Sequence, residues 1–123
     1  MKNIFIDATA LTPQIVLNSS TGEFSVVGKS YPEDGLVFYK FMLDYVDELI
    51  HTNIETFTLK FDLEYANTSS AKSFISIIYK MQQLPNAKVI WIHEKDDDQI
   101  LELGTDIAEL VSVPFEFKIK KTR

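Results

Sequence analysis

The spacing of apolar residues changes several times along the chain, and each change predicts a new secondary-structure element. Two short strands are predicted, at Gln14 to Asn18 and at Glu23 to Gly28. The residues between them, Ser19 to Gly22, are small and polar and end in glycine, which favours a hairpin loop. We therefore expect the chain to begin its sheet with an antiparallel hairpin.

Three further strands are predicted downstream. Phe57 to Leu63 and Phe115 to Lys120 alternate apolar with polar residues, which is typical of a strand with one buried face and one face in water. Lys88 to His93 is more continuously apolar, as expected for a central strand.

The first predicted helix follows the motif Ser30-Tyr31-Pro32-Glu33. Ser30 and Glu33 have the spacing of a capping box with Ser30 as the N-cap, and Pro32 falls where a first-turn proline is tolerated. Apolar residues then recur at helical spacing as far as Ile50.

Two more helices are predicted from the same spacing. One begins after Asn67-Thr68 and ends at Pro85-Asn86. The other follows Asp96 to Asp98 and ends before Pro114.

The predicted order is β-β-α-β-α-β-α-β in a single domain, residues 1–123. Strands that alternate with helices need crossover connections, so the sheet after the hairpin is expected to be mostly parallel. Helices on both faces would leave no place for the polar positions Thr58, Lys60 and Asp62. The predicted fold class is therefore α/β (α+β), a single-layer mixed sheet with about three helices mainly on one face.

Composition narrows the class of protein. The 123 residues include no cysteine, which excludes disulfides and Cys-ligated zinc. The formal net charge of −6 disfavours nucleic acid as a partner. No apolar run approaches the roughly 20 residues that span a bilayer, and Asp7 interrupts the N-terminal one too early for a signal peptide. We expect a cytoplasmic protein without a membrane partner.

Patterns that mark an enzyme are missing. Neither histidine, His51 or His93, has a partner at metal-ligand spacing. The chain has no P-loop, no G-x-G-x-x-G and no G-x-S-x-G. Asp96 to Asp98, with Glu94 before it, is interpreted as the start of a helix and not as a divalent-cation site. Carboxylates at a helix start accept hydrogen bonds from the free backbone amides. No catalytic residue, metal or cofactor is expected.

The segment Asn67-Thr68-Ser69-Ser70 carries the candidate chemistry. Capping a helix needs only one small polar residue, yet several hydroxyls occur at this junction between strand and helix. A phosphate there adds about −1.5 to −2 charges, which helix N-terminal amides accommodate. Lys72 lies four residues after Thr68, so a phosphate on Thr68 and the ammonium group are placed to pair along one helix face.

The sequence resembles the SiaC family of bacterial regulatory phosphoproteins over nearly its whole length. The residues that carry the resemblance are Thr12-Pro13, Gly28 to Glu33, Leu63 to Lys72, Asp96 to Asp98 and Val113 to Phe115. The S-Y-P-E and N-T-S-S-x-K motifs, in this order and at this separation, make it specific.

The resemblance implies a fold like that of anti-sigma-factor antagonists (STAS-like) and a non-enzymatic, partner-switching function. It implies that an ATP-dependent kinase phosphorylates Thr68 and that a PP2C-type phosphatase removes the phosphate. The unphosphorylated form is then expected to activate a diguanylate cyclase and to promote biofilm formation or aggregation. Around the phosphosite, Asn67, Ser69, Ser70 and Lys72 are the expected partner contacts, and Ser69 and Ser70 are competing acceptors.

Two other functions are compatible with the sequence. A small-molecule-binding module would need an enclosed apolar pocket. Its candidate lining is the aromatic residues of the first helix, which are also core candidates: Phe38, Tyr39, Phe41 and Tyr45. A hydrolase would use the hydroxyls of Thr68 to Ser70 or the acidic triplet Asp96 to Asp98. The hydroxyls would need a base nearby, for which a spatially adjacent His93 is the candidate.

Overall fold

The computed structural model describes residues 2–120, which form one six-stranded sheet and four helices. The strands are β1 (Ile4–Ile6), β2 (Gln14–Asn18), β3 (Glu23–Ser30), β4 (Phe57–Ala66), β5 (Ala87–His93) and β6 (Phe115–Ile119). The helices are α1 (Gly35–Phe38), α2 (Lys40–Ile50), α3 (Thr68–Met81) and α4 (Asp98–Leu110). Neighbours in the sheet are also neighbours in the chain, in the order β1-β2-β3-β4-β5-β6.

The sheet changes from antiparallel to parallel at β3. Strands β1, β2 and β3 pair antiparallel, and β3 to β6 pair parallel. Gly22 turns the β2–β3 hairpin at φ 79°, a conformation that glycine adopts without strain. The predicted hairpin and mostly parallel sheet are confirmed. Strand β1 was not predicted, because three residues are too few to show an alternating pattern.

The helices lie on one face of the sheet, as predicted. Three contacts, one for each of the longer helices, define this face: Phe24 with Tyr45 of α2 (ring centroids 6.2 Å apart), Phe61 with Phe74 of α3 (4.9 Å), and the Trp91 indole N–H with the Ile100 carbonyl of α4 (2.8 Å). These rings belong to the continuous buried core. The short helix α1 packs against α3.

The opposite face of the sheet is partly in water. Thr58, Lys60 and Asp62 are half-buried there, in alternation with the fully buried Leu59 and Phe61. The alternation along β4 therefore identified correctly which face lacks helices.

The predicted capping box from Ser30 to Glu33 is wrong. Ser30 is the last residue of β3, where it pairs with Ala66 of β4 and is fully buried. The strand continues to Ser30, beyond the predicted end at Gly28, and its register with β4 shifts between Gly28 and Lys29. Pro32 therefore lies in a loop and not in a first helical turn.

The first predicted helix is divided into two. Helix α1 begins at Gly35, and its N-cap is Asp34, whose carboxylate accepts a hydrogen bond from the Val37 amide at 3.2 Å. Tyr39 separates α1 from α2 with φ −93° and ψ 5°. This interruption places the tyrosine ring in the core with no exposed surface. The described residues thus contain four helices where about three were expected.

The remaining predicted elements are confirmed with shifted ends. Strand β4 continues to Ala66, and α3 ends at Met81, before the predicted stop at Pro85. Helix α4 starts as predicted, since the Asp97 carboxylate caps it by accepting from the Ile100 amide at 3.0 Å.

We predict that Gly104→Ala destabilises the protein although it raises helix propensity. A Cβ at Gly104 of α4 would clash with the Trp91 indole ring, and the indole is held by its hydrogen bond to the Ile100 carbonyl. The free energy of unfolding should fall by about 1–3 kcal/mol in denaturant titrations. Thr105→Ala, next to it but exposed, is the control and should change stability by less than about 0.5 kcal/mol. Equal effects of the two substitutions would contradict close packing of α4 on Trp91.

Candidate functional site

The candidate site lies where β3 and β4 end side by side and α3 begins. Because the two strands are parallel, Ser30 and Ala66 bring their carboxyl ends to the same edge of the sheet. Asn67 then leaves the strand in an extended conformation and caps α3. Its side-chain oxygen accepts a hydrogen bond from the Ser70 amide at 2.8 Å, which satisfies one of the unpaired donors of the first turn.

Asn67 also joins the two motifs of the sequence. Its backbone amide donates to the Ser30 carbonyl at 3.0 Å. Its side-chain nitrogen donates to the Pro32 carbonyl, also at 3.0 Å. Two groups of Asn67 thus bond to the S-Y-P-E loop while its side-chain oxygen caps α3, so the residue fixes the loop against the start of the helix.

Three buried hydroxyls form a chain behind this junction. The Ser30 hydroxyl lies 2.6 Å from both the Tyr39 and the Ser70 hydroxyls, and Ser70 donates to the Ser30 carbonyl at 3.2 Å. Since each hydroxyl has one proton, Ser30 donates to Ser70 and Tyr39 donates to Ser30. Burial raises the pKa of Tyr39, so the phenol keeps its proton.

Ser69 holds helix α1 in place. Its hydroxyl accepts a hydrogen bond from the Gly35 amide at 2.7 Å. The helices touch at this point: a Cβ on Gly35 would lie 2.5 Å from the Ser69 carbonyl oxygen and 2.6 Å from the Ser73 hydroxyl. Glycine is therefore required for α1 to approach α3 this closely.

Thr68 differs from its neighbours in exposure. Its side chain is exposed, whereas Asn67 and Ser69 are half-buried and Ser70 has 0% of its surface exposed. Thr68 is the first residue of α3, where backbone amides have no acceptor within the helix. Lys72, one turn later, is exposed and forms no ion pair with the residues that the structure describes.

The surface beside Thr68 combines a shallow cleft with a pair of aromatic rings. The cleft has a volume of about 260 Å³, and its lining includes Glu64, Tyr65, Thr68 and Asp97. Tyr65 stacks on Tyr31 with ring centroids 4.6 Å apart and an interplanar angle of 24°. Two carboxylates and one aromatic ring therefore line the cleft that Thr68 borders.

The other sites considered from the sequence, a hydrolase site with His93 and a metal site, are not formed by the described residues. The ring nitrogen Nδ1 of His93 is bonded to the Glu94 carbonyl at 2.9 Å, and no hydrogen bond joins His93 to the hydroxyls of Thr68 to Ser70. Among residues 2–120, no group of three or more acidic or histidine side chains is placed to hold a metal ion. In the same range no helix is long and apolar enough to cross a membrane.

The aromatic residues of the first predicted helix are core residues. Tyr39 and Tyr45 are buried, and Phe38 and Phe41 are half-buried against the same core. They therefore pack in or against the core, which is the alternative that the sequence also allowed.

Tyr39 was named from the sequence as a core candidate but not as a member of the hydroxyl chain, and Gly35 was missed. The signals were faint: a tyrosine within an apolar stripe and a glycine directly after a capping aspartate. Neither pattern indicates which distant hydroxyl the residue will contact.

Comparison with known proteins assigns the family. The sequence profile of the SiaC family, described as regulatory phosphoproteins, matches residues 6–120. The chain belongs to the SiaC family. The resemblance found in the sequence motifs is thereby confirmed, and the likeness to anti-sigma-factor antagonists stays a prediction.

Solved structures of this family have the same fold. The crystal structure of apo-SiaC from Pseudomonas aeruginosa is 27% identical, with a TM-score of 0.83 over 96% of this chain and 99% of that one. A chain in the crystal structure of the diguanylate cyclase SiaD with its activator SiaC, from the same organism, is 26% identical, with a TM-score of 0.84 over 95% and 99%. An uncharacterized protein of P. aeruginosa (strain UCBPP-PA14) is 26% identical over 119 residues, 94% of each chain.

We predict that Tyr39→Phe destabilises this family member and that Tyr45→Phe does not. Tyr39→Phe removes the first donor of the hydroxyl chain, so the free energy of unfolding should fall by about 0.5–1.5 kcal/mol. The Tyr45 hydroxyl is buried without a partner among the described residues. Its removal should leave stability unchanged or raise it, because the desolvation cost disappears.

Thermal and denaturant unfolding of the two variants make this comparison directly. Equal losses of stability would contradict the buried hydrogen bond between Tyr39 and Ser30.

Proposed function

We propose that this chain is a single-domain, non-enzymatic regulatory protein that acts in the cytoplasm and is switched by reversible phosphorylation of Thr68. Without phosphate it binds and activates a diguanylate cyclase, and with phosphate it does not. A dedicated ATP-dependent protein kinase adds the phosphate, and a PP2C-type phosphatase removes it. The output is cyclic-di-GMP signalling that promotes biofilm formation or aggregation.

The observation that carries the proposal is that Thr68 is exposed, whereas the neighbouring hydroxyls of Ser69 and Ser70 are hydrogen-bonded within the protein. Ser70 is buried between Ser30 and Asn67, and Ser69 accepts from the Gly35 amide. A kinase can reach the Thr68 hydroxyl without breaking any of these bonds. Thr68 is thus the phosphate acceptor whose modification leaves the hydrogen bonds of Ser69 and Ser70 intact.

The start of α3 is also suited to hold the added charge. Phosphothreonine carries about −1.5 to −2 charges at neutral pH. The positive end of the helix dipole and the free amides of the first turn favour an anion at Thr68. Lys72, four residues later, supplies an exposed cation for the same face of the helix. The phosphate therefore changes the surface and not the fold.

The cyclase target is taken from the solved relative. SiaC of P. aeruginosa is the activator of the diguanylate cyclase SiaD and was crystallised in complex with it. The same fold over nearly the full length of both chains supports a target of the same class. The intact N-T-S-S-x-K motif at Asn67 to Lys72 supports regulation through the same segment.

We predict a single phosphate, on Thr68, in the protein isolated from its own organism. Intact-mass and peptide mass spectrometry should locate it, and Thr68→Val should remove it. Ser76→Ala is the matched control because Ser76 is an exposed hydroxyl on the same helix, and it should leave the phosphate in place. A phosphate on Ser70, or one that persists in the Thr68→Val protein, would overturn the assignment.

Cyclase activation should fall in Thr68→Asp without loss of the fold. An aspartate at this position carries less charge than a phosphate, so binding should weaken by about tenfold and by less than in the phosphoprotein. Ser76→Asp places the same charge about 12 Å further along α3 and should have no effect. Equal activation of the cyclase by the wild type, Thr68→Asp and the authentic phosphoprotein would contradict the proposed phosphorylation switch.

A further inference from the structure

Strand β6 forms one edge of the sheet. Among residues 2–120, β5 pairs with one side of it, and no strand pairs with its other side. The pairing with β5 continues to Ile119 without a register shift, so the edge contains no bulge. Pro114 precedes the strand, and no proline lies within it. Bulges and prolines commonly protect a sheet edge, so without them β6 is open to pairing with another strand.

The backbone of β6 directs alternate residues toward this outer edge. The Pro114 carbonyl accepts a hydrogen bond from the Val89 amide at 3.0 Å, and the Lys120 amide donates to the His93 carbonyl at 2.7 Å. Because successive peptide groups of a strand point to opposite sides, the even-numbered residues of β6 bond to β5. The backbone groups that point away from β5 belong to the odd-numbered residues: Phe115, Phe117 and Ile119.

The two faces of β6 carry different side chains. The odd-numbered residues lie on the helix-covered face, where Phe117 is in register with Trp91. Phe117 and Ile119 are nevertheless 39% and 61% exposed, since they lie at the edge. Glu116 and Lys118 lie on the opposite face, and their charged groups are 3.3 Å apart. The strand therefore offers apolar side chains on one face and a pair of opposite charges on the other.

The sequence of β6, F-E-F-K-I, is complementary to itself when it runs in the opposite direction. In an antiparallel pair of two β6 strands centred on Phe117, Phe115 lies opposite Ile119 of the second copy, and Glu116 lies opposite Lys118 of the second copy. A pair centred on Glu116 or on Lys118 would instead place like charges opposite each other, which is destabilising. The register centred on Phe117 is the one that pairs all five residues and both charges.

We propose that β6 joins two copies of this chain in a symmetric dimer, in which the two sheets become one continuous sheet. The backbone fits this arrangement, because the odd-numbered residues form the hydrogen-bonded pairs. Glu116 and Lys118 then form the non-hydrogen-bonded pairs, whose side chains approach each other more closely. Both copies use the same edge, so association stops at two. The proposal is independent of the proposed function, because β5 and β6 separate β4 and Thr68 from this edge.

The charges at the edge are compatible with a second copy of an acidic chain. Glu116 is bonded to Lys88 at 3.1 Å and to Lys118, so the acidic net charge of −6 is not concentrated at β6. Repulsion between the two copies therefore acts at long range, where salt screens it. Two five-residue strands form a small interface, so the dissociation constant should be about 10–100 µM.

Sedimentation equilibrium of the full chain, at concentrations up to about 1 mM, is the first experiment. We expect a reversible equilibrium between monomer and dimer. Thr68→Asp should dimerise as the wild type does, since Thr68 lies away from the edge. A monomer at every concentration, assemblies larger than a dimer, or loss of the dimer in Thr68→Asp would overturn the proposal.

A charge exchange tests the pairing of Glu116 with Lys118. Glu116→Lys and Lys118→Glu each place like charges opposite at both pairs of the dimer, so each should weaken dimerisation by about tenfold or more. An equimolar mixture of the two variants restores opposite charges in both pairs and should dimerise about as well as the wild type. Recovery in the mixture shows that both variants are folded. A mixture that dimerises no better than the separate variants overturns the proposal, and Glu109→Lys on α4 is the control that should dimerise normally.

Single cysteines test the register, because the chain has no cysteine of its own. Phe117→Cys places two thiols across the symmetry axis, where the Cα atoms of a hydrogen-bonded pair lie about 5.5 Å apart, within reach of a disulfide. Ile119 is more exposed than Phe117, but the two copies of its Cα would lie about 14 Å apart. Mild oxidation should therefore link the Phe117→Cys protein into dimers and leave Ile119→Cys monomeric. Linking of both proteins to the same extent, or of neither, overturns the proposal.

Discussion

The hydrogen bond between the Ser30 and Ser70 hydroxyls, 2.6 Å long, joins residues 40 positions apart in the chain. It connects the end of β3 to the first turn of α3, and Tyr39 extends it to the start of α2. A buried polar chain of this kind is stable only when every member has its partner. The loop that carries α1, the cap at Asn67 and the exposure of Thr68 all depend on this connection.

The fold could be predicted from the sequence where a single element has a strong period. Strand β4 shows its two faces in the alternation of Phe57 to Leu63, and from this the position of the helices follows. The same approach was wrong at Ser30, because a serine before a proline and a glutamate satisfies a local capping pattern. The hydroxyl is instead used by Tyr39 and Ser70, and no local pattern reveals a bond to a residue so far along the chain.

The candidate site was predictable as a segment but not as an arrangement. The motif around Thr68 suggested several equivalent hydroxyls, and the structure distinguishes them by their contacts. Ser69 bonds to α1 and Ser70 bonds to the end of β3, whereas Thr68 is exposed to solvent. Burial and hydrogen bonding are properties of the packed molecule, so the sequence left Ser69 and Ser70 open as acceptors. The role of Gly35 was equally hidden, since it depends on how closely α1 approaches α3.

We propose that a phosphate on Thr68 changes the surface of the junction between β3, β4 and α3 without changing the hydrogen bonds that hold the junction together. The most direct measurement compares unmodified protein with stoichiometric Thr68 phosphoprotein in calorimetric titrations against the cyclase and in denaturant unfolding. The account predicts an affinity at least about a hundredfold lower for the phosphoprotein, with a free energy of unfolding changed by less than about 1 kcal/mol. Equal affinities, or a loss of binding accompanied by a loss of stability, would contradict it.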